Sequence, residues 1–103
     1  MGRLRYGDST FEFEDRLLAH LQIVIGNKLR RGEHFLLSWS GARDSGEGRD
    51  SLWIDNGIPL HFHFSGGRTP AINRDWLFAL LESANSAGGL VVSPESAAPP
   101  APR

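Results

Sequence analysis

The sequence predicts an α+β fold, a two-layer sandwich in which a mainly antiparallel sheet carries two helices on one face. Short stretches alternate apolar and polar residues with period two, as half-buried strands do, and two longer stretches repeat apolar residues every three or four positions, as amphipathic helices do. Their order, ββαβββαβ, gives every one-sided strand and helix a second layer to bury against.

The first two strands form a hairpin. Leu4 and Tyr6 alternate with Arg3 and Arg5, and beyond Gly7-Asp8-Ser9 the residues Phe11 and Phe13 alternate with Thr10, Glu12 and Glu14. Asp15 then suits a helix cap, ahead of a stripe of Leu17, Leu18, Leu21, Val24, Ile25 and Leu29. That helix ends in Lys28, Arg30 and Arg31, cations that favour the negative end of the helix dipole, followed by Gly32 at the position where a left-handed residue stops a helix.

Phe35, Leu37 and Trp39 alternate with Leu36 and Ser38 in a third strand, which gives way to a polar loop from Gly41 to about Arg49. That loop's glycines lack the Lys-Ser or Lys-Thr of a phosphate-binding loop and precede a strand rather than a helix. Leu52 and Ile54 against Ser51 and Trp53 mark a fourth strand, and Asp55-Asn56-Gly57 reads as a hairpin turn into a fifth, from Ile58 to Phe64. Pro59 cannot donate to a ladder, so this strand starts at a sheet edge or its first residues lie outside the pairing. Alternation expects Phe62 and Phe64 buried, with His61 and His63 exposed. Asn73 suits the cap of a second helix carrying Trp76, Leu77, Leu80, Leu81 and Ala84, Gly88-Gly89 ends it, and Leu90-Val91-Val92 supplies a last short strand. The expected organisation is one domain over residues 1–92 and a disordered Pro/Ala-rich tail over 93–103, because that tail has too little to bury.

Composition excludes several function classes. Eleven basic against twelve acidic residues in 103 leave a formal charge of −1, without the general attraction to phosphate that a basic protein has. Cysteine is absent, which removes disulfides, thiolate nucleophiles and zinc thiolate sites. The apolar runs are too short to span a membrane and the N-terminus has no apolar signal region, so the expected address is cytoplasmic and no membrane partner is expected. No Gly-x-Ser-x-Gly, His-Glu-x-x-His or dinucleotide glycine pattern occurs, and neither catalysis nor a cofactor is expected.

What remains is the open face of the sheet. Alternation puts Arg3, Arg5, Thr10, Glu12, Leu36, Ser38, Ser51, Trp53, His61 and His63 there. The candidate partner-binding residues are Arg3, Arg5, Trp53, His61 and His63, with Arg68 from the following loop. Trp53 and Leu36 suit the anchor of a protein interface, with a second copy of the chain as one partner. The same Trp could instead stack a base while the arginines hold phosphates, which is the nucleic-acid alternative. His61 and His63 also have the spacing of two strand-borne metal ligands, but no third ligand is identifiable and no metal is expected.

Several segments of the chain are similar to a family of short uncharacterised proteins of high-GC bacteria, a domain of unknown function. They include Met1-Gly2-Arg3-Leu4, Leu18-Ala19-His20-Leu21-Gln22, Lys28-Leu29-Arg30-Arg31-Gly32-Glu33, Leu52-Trp53, and Ser83-Ala84-Asn85-Ser86-Ala87-Gly88-Gly89-Leu90. The resemblance covers nearly everything before the tail and brings with it the label ATP-dependent DNA ligase. That chemistry needs a nucleophilic lysine in a Lys-x-Asp-Gly setting, whereas the sole lysine, Lys28, is followed by Leu29-Arg30-Arg31.

Overall fold

The computed structural model describes residues 1–40 and 48–95. The elements are β1 (Gly2–Tyr6), β2 (Ser9–Phe13), α1 (Asp15–Arg30), β3 (Phe35–Ser40), β4 (Arg49–Ile54), β5 (Leu60–His63), α2 (Arg74–Ala84) and β6 (Leu90–Val91). Class and element order are those the sequence predicts. The expected polar loop after β3 falls largely outside the described residues, as does the tail beyond residue 95.

The strands form two three-stranded sheets, ordered β2-β1-β5 and β4-β3-β6. Every neighbouring pair is antiparallel except β3 with β6. The β1–β2 hairpin turns through Gly7, whose φ of 59° is what the first central residue of a tight primed turn requires.

The Asp55-Asn56-Gly57 hairpin does not form, which corrects the sequence expectation. A two-residue Asn-Gly turn needs positive φ at both residues, and neither Asn56 nor Gly57 has it. The segment instead carries the chain from one sheet to the other, since β4 pairs with β3 and β5 pairs with β1. Tertiary bonds hold the crossing. Asp55 N–H donates to the Tyr6 hydroxyl at 2.8 Å, and the Asn56 side-chain amide donates to the Leu29 carbonyl at 3.2 Å. Pro59 lies outside the ladder, as expected, and its carbonyl accepts from Gly7 N–H.

Helix α1 stops as the sequence indicates. Gly32 takes φ 76°, its N–H donates to the Leu29 carbonyl and Glu33 N–H to that of Lys28, the paired bonds of a Schellman motif. Its start differs from expectation. Glu14 is the N-cap and makes no side-chain cap bond, while the Asp15 carboxylate accepts the backbone N–H groups of Ser65 and Gly66 and so ties α1 to the loop after β5. Those two bonds, Gly66 first, hold the Asp15 carboxyl below its ordinary pKa. The Asn73 side chain caps α2 by accepting from Asp75 and Trp76 N–H, as expected.

One core joins both sheets and both helices. Leu4 from β1, Leu37 from β3, Ile54 from β4, Leu18, Leu21, Val24 and Ile25 from α1, Leu80 from α2 and Leu90 from β6 are all fully buried. The sheets also meet through aromatic edges, Trp39 of β3 lying 5.1 Å from both Phe11 and Phe13 of β2. Phe62 and Phe64 are half-buried and pack on the margin of this core. Both are less buried than alternation expects, although His61 and His63 are exposed as it expects.

The chain stays docked past Val92. Trp76 Nε1–H donates to the Ser93 carbonyl, and the Glu95 carboxylate accepts from Arg16 at 2.7 and 2.8 Å and from the Asn73 side chain at 2.7 Å. Arg16 also donates to the Ala71 carbonyl. This clasp joins the N-terminal ends of α1 and α2, and it drives the Glu95 carboxyl down to about 2, with Arg16 as the main cause and Asn73 the next.

Candidate functional site

The ten residues expected on one open face are divided between two. On the outer face of β2-β1-β5, the register aligns Thr10 with Arg5 and Arg5 with His61 in one row, and Glu12 with Arg3 and Arg3 with His63 in the next. All six are exposed. Arg3, Arg5, Thr10, His61 and His63 line a shallow depression of about 150 Å³. Glu12 is not among its walls. Arg5 Nε–H donates to the Gly7 carbonyl at 3.3 Å, which steadies the guanidinium beside the hairpin turn.

The outer face of β4-β3-β6 has a different chemistry. Trp53 is 54% exposed and pairs across the ladder with half-buried Leu36, while the His34 ring lies 5.0 Å from it at a tilt of 42°. Ser38 and Ser51 share a hydrogen bond of 2.9 Å in the next row, and Val91, 52% exposed, follows on β6 beside Ser38. The sequence showed Trp53 and Leu36 but not Val91, because alternation in a strand of two residues has no visible phase.

Arg68 joins neither face. It lines a separate crevice of about 270 Å³ with Ala19, Gln22, Phe64, Gly66, Gly67, Thr69 and Pro70.

Two ionisable groups that attract a catalytic reading are structural. Lys28 is buried, with its ammonium donating to the Asn85 side-chain carbonyl at 3.1 Å and paired with Glu33 at 2.8 Å. This contact, with Arg31 at 3.3 Å, holds the Glu33 carboxyl below its ordinary value and offsets part of the positive charge at the end of α1. His20 is fully buried against Trp76, ring centroids 4.5 Å apart. Its Nε2 accepts Asn73 N–H at 2.9 Å, so Nδ1 carries the proton and donates to the Arg16 carbonyl at 2.7 Å. With both nitrogens engaged, His20 has none to offer a metal or substrate.

Among the described residues, no three or more His, Asp or Glu side chains are grouped so as to hold a metal ion. His61 and His63 stand beside Arg5 and Arg3, whose charge opposes a bound cation. No described helix is long and apolar enough to cross a membrane.

No curated protein and no solved structure matches the chain. A family profile described as "Domain of unknown function (DUF7882)" matches residues 1–95, ending at the residue whose carboxylate closes the clasp. The profile's description names no reaction and no ligand, and on its coverage the chain belongs to the DUF7882 family, a domain of unknown function.

Proposed function

We propose that this domain is a small non-enzymatic binding and assembly module that associates with a protein partner, in the first instance a second copy of itself, through the outer face of β4-β3-β6. The observation that carries the reading is Trp53. An indole more than half exposed on the outermost strand of a sheet is costly to leave in water, and covering it removes about half of the roughly 150 to 250 Å² that a fully buried aromatic takes from solvent. Leu36 lies beside Trp53, and Val91 stands next to Ser38 in the row of the Ser38–Ser51 pair. The serines and Arg49 supply a polar rim of the kind protein interfaces have.

The nucleic-acid alternative draws support from the Arg and His residues of the other sheet, but no Trp, Tyr or Phe accompanies them there to stack a base. It is left with phosphate contacts alone, which weaken steeply as salt rises. Light scattering over a dilution series, at low and high salt and with and without a single-stranded oligonucleotide, separates the two readings. The assembly reading expects Trp53→Ala to shift the protein toward monomer, with the shift insensitive to salt and the monomer's melting temperature close to that of the parent. A monomeric parent at every concentration removes the self-association reading.

A further inference from the structure

We propose that the depression on the outer face of β2-β1-β5 is a binding site for a tetrahedral oxyanion, specifically a phosphoryl group. Among the described residues it is lined by Arg3, Arg5, Thr10, His61 and His63, two guanidinium, two imidazole and one hydroxyl side chain with no carboxylate among them. Guanidinium is a permanent cation that donates and never accepts, and the hydroxyl and each imidazole can donate as well. A cleft so lined repels cations and offers charged donors to an anion.

Register brings the donor-bearing residues together. Thr10, Arg5 and His61 stand side by side on three neighbouring strands, and Arg3 with His63 forms the next row, about 7 Å along β1 at two residues of strand rise. Donors from three strands suit a group that presents oxygens in several directions, whereas a planar carboxylate is satisfied by the fork of one arginine. The volume of about 150 Å³ has room for several water-sized groups, enough for a phosphoryl group. Arg5 spends only its Nε–H on the Gly7 carbonyl, so the bond that positions its guanidinium does not consume the terminal nitrogens.

The nearby negative charges are placed where they do not fill the site. Glu12 stands opposite Arg3 without lining the depression. Asp15, which feels the His63 side chain, already accepts Ser65 and Gly66 N–H. The proposal is independent of the Trp53 reading, since its residues, sheet and measured quantity are all different.

The test is a titration of the full chain with inorganic phosphate at constant ionic strength, followed by NMR at the backbone amides and at the arginine and histidine side chains. Saturable shifts are expected at Arg3, Arg5, Thr10, His61 and His63. Arg5→Gln and Arg3→Gln should each weaken binding about tenfold, the loss of a charge-assisted hydrogen bond, with unchanged melting temperatures. Two further arms identify the source of the group. Tighter binding of a short single-stranded oligonucleotide through the same residues makes it a phosphodiester chain, and phosphate binding without oligonucleotide binding makes it a small phosphorylated molecule or the free ion. Shifts that never saturate, or that persist in the Arg3→Gln/Arg5→Gln double variant, would overturn the site.

Discussion

The outer faces of the two sheets follow the same rule and end in opposite chemistry. In both, every second residue of the central strand points into one shared core, Leu4 in β1 and Leu37 in β3, and its neighbours point out. Outside β1 the neighbours are Arg3 and Arg5, framed by His61 and His63; outside β3 they are Leu36 and Ser38, framed by Trp53, Ser51 and Val91. One face is built to meet charge and the other to lose water. Inward positions are constrained by a common core, whereas outward positions are free to differ, so the function of such a domain is written in the half of each strand that packing does not dictate.

The strongest way to break this comparison is through the core that both faces share. Leu4→Ala and Leu37→Ala each truncate a fully buried side chain at the centre of its sheet, and each should cost about 2 to 5 kcal/mol. Either variant should unfold in one step, with tryptophan fluorescence and far-ultraviolet circular dichroism coincident. Separate transitions in the two signals would mean that the sheets are independent units and that their faces need not be considered together.

A smaller effect sharpens the inside-outside assignment within β5. Phe62→Ala should cost about 1 to 3 kcal/mol, less than a fully buried phenylalanine because half of its surround is missing, and His61→Ala should stay within about 0.5 kcal/mol. Urea unfolding of the two variants side by side measures the difference, and equal midpoints would invert the face on which the oxyanion proposal depends.

The smallest expected effect lies away from both faces. The Glu95 carboxyl titrates at about 2 in the folded chain against an ordinary value of 4.5, so its contribution to stability is fully present above about pH 4.5 and is lost as pH falls through about 2. Glu95→Gln should therefore melt below the parent at neutral pH, and the gap should close on acidification toward pH 2. Asp15 and Glu33, also held below their ordinary values, should steepen the parent's loss of stability in acid. A gap that is constant with pH would show that Glu95 is not acting through its charge.

Much of this was legible in the sequence because it depends on near neighbours. Period-two alternation correctly assigned Arg3, Arg5, His61 and His63 outward, and Asn73 and Gly32 marked helix ends through local chemistry. Which strand lies beside which is decided by the whole core, and there the local signal misled. Asn56-Gly57 carries the composition of a hairpin turn, yet β5 pairs with β1, where Phe62 lies opposite Leu4, leaving the dipeptide as a bridge between sheets. Two further consequences were therefore hidden, the parting of Trp53 from the arginines and the meeting of Arg16, Asn73 and Glu95. The clasp has no motif, since it joins residues 79 positions apart.

The pairing of β1 with β5 also sets an order of events for a chain made from its N-terminus. The hairpin of β1 and β2 and the helix α1 leave the ribosome early, but the strand that completes their sheet arrives only with Leu60 to His63, and the carboxylate that locks α1 to α2 only with residue 95. Until then the inward side of β1 and the apolar stripe of α1 have little to close against. Long-range pairing of this kind slows closure and keeps apolar surface in view of other chains. The nascent N-terminal half is thus the period of greatest exposure to aggregation, and a chaperone that shields it during synthesis should raise the yield of folded protein more than one added after release.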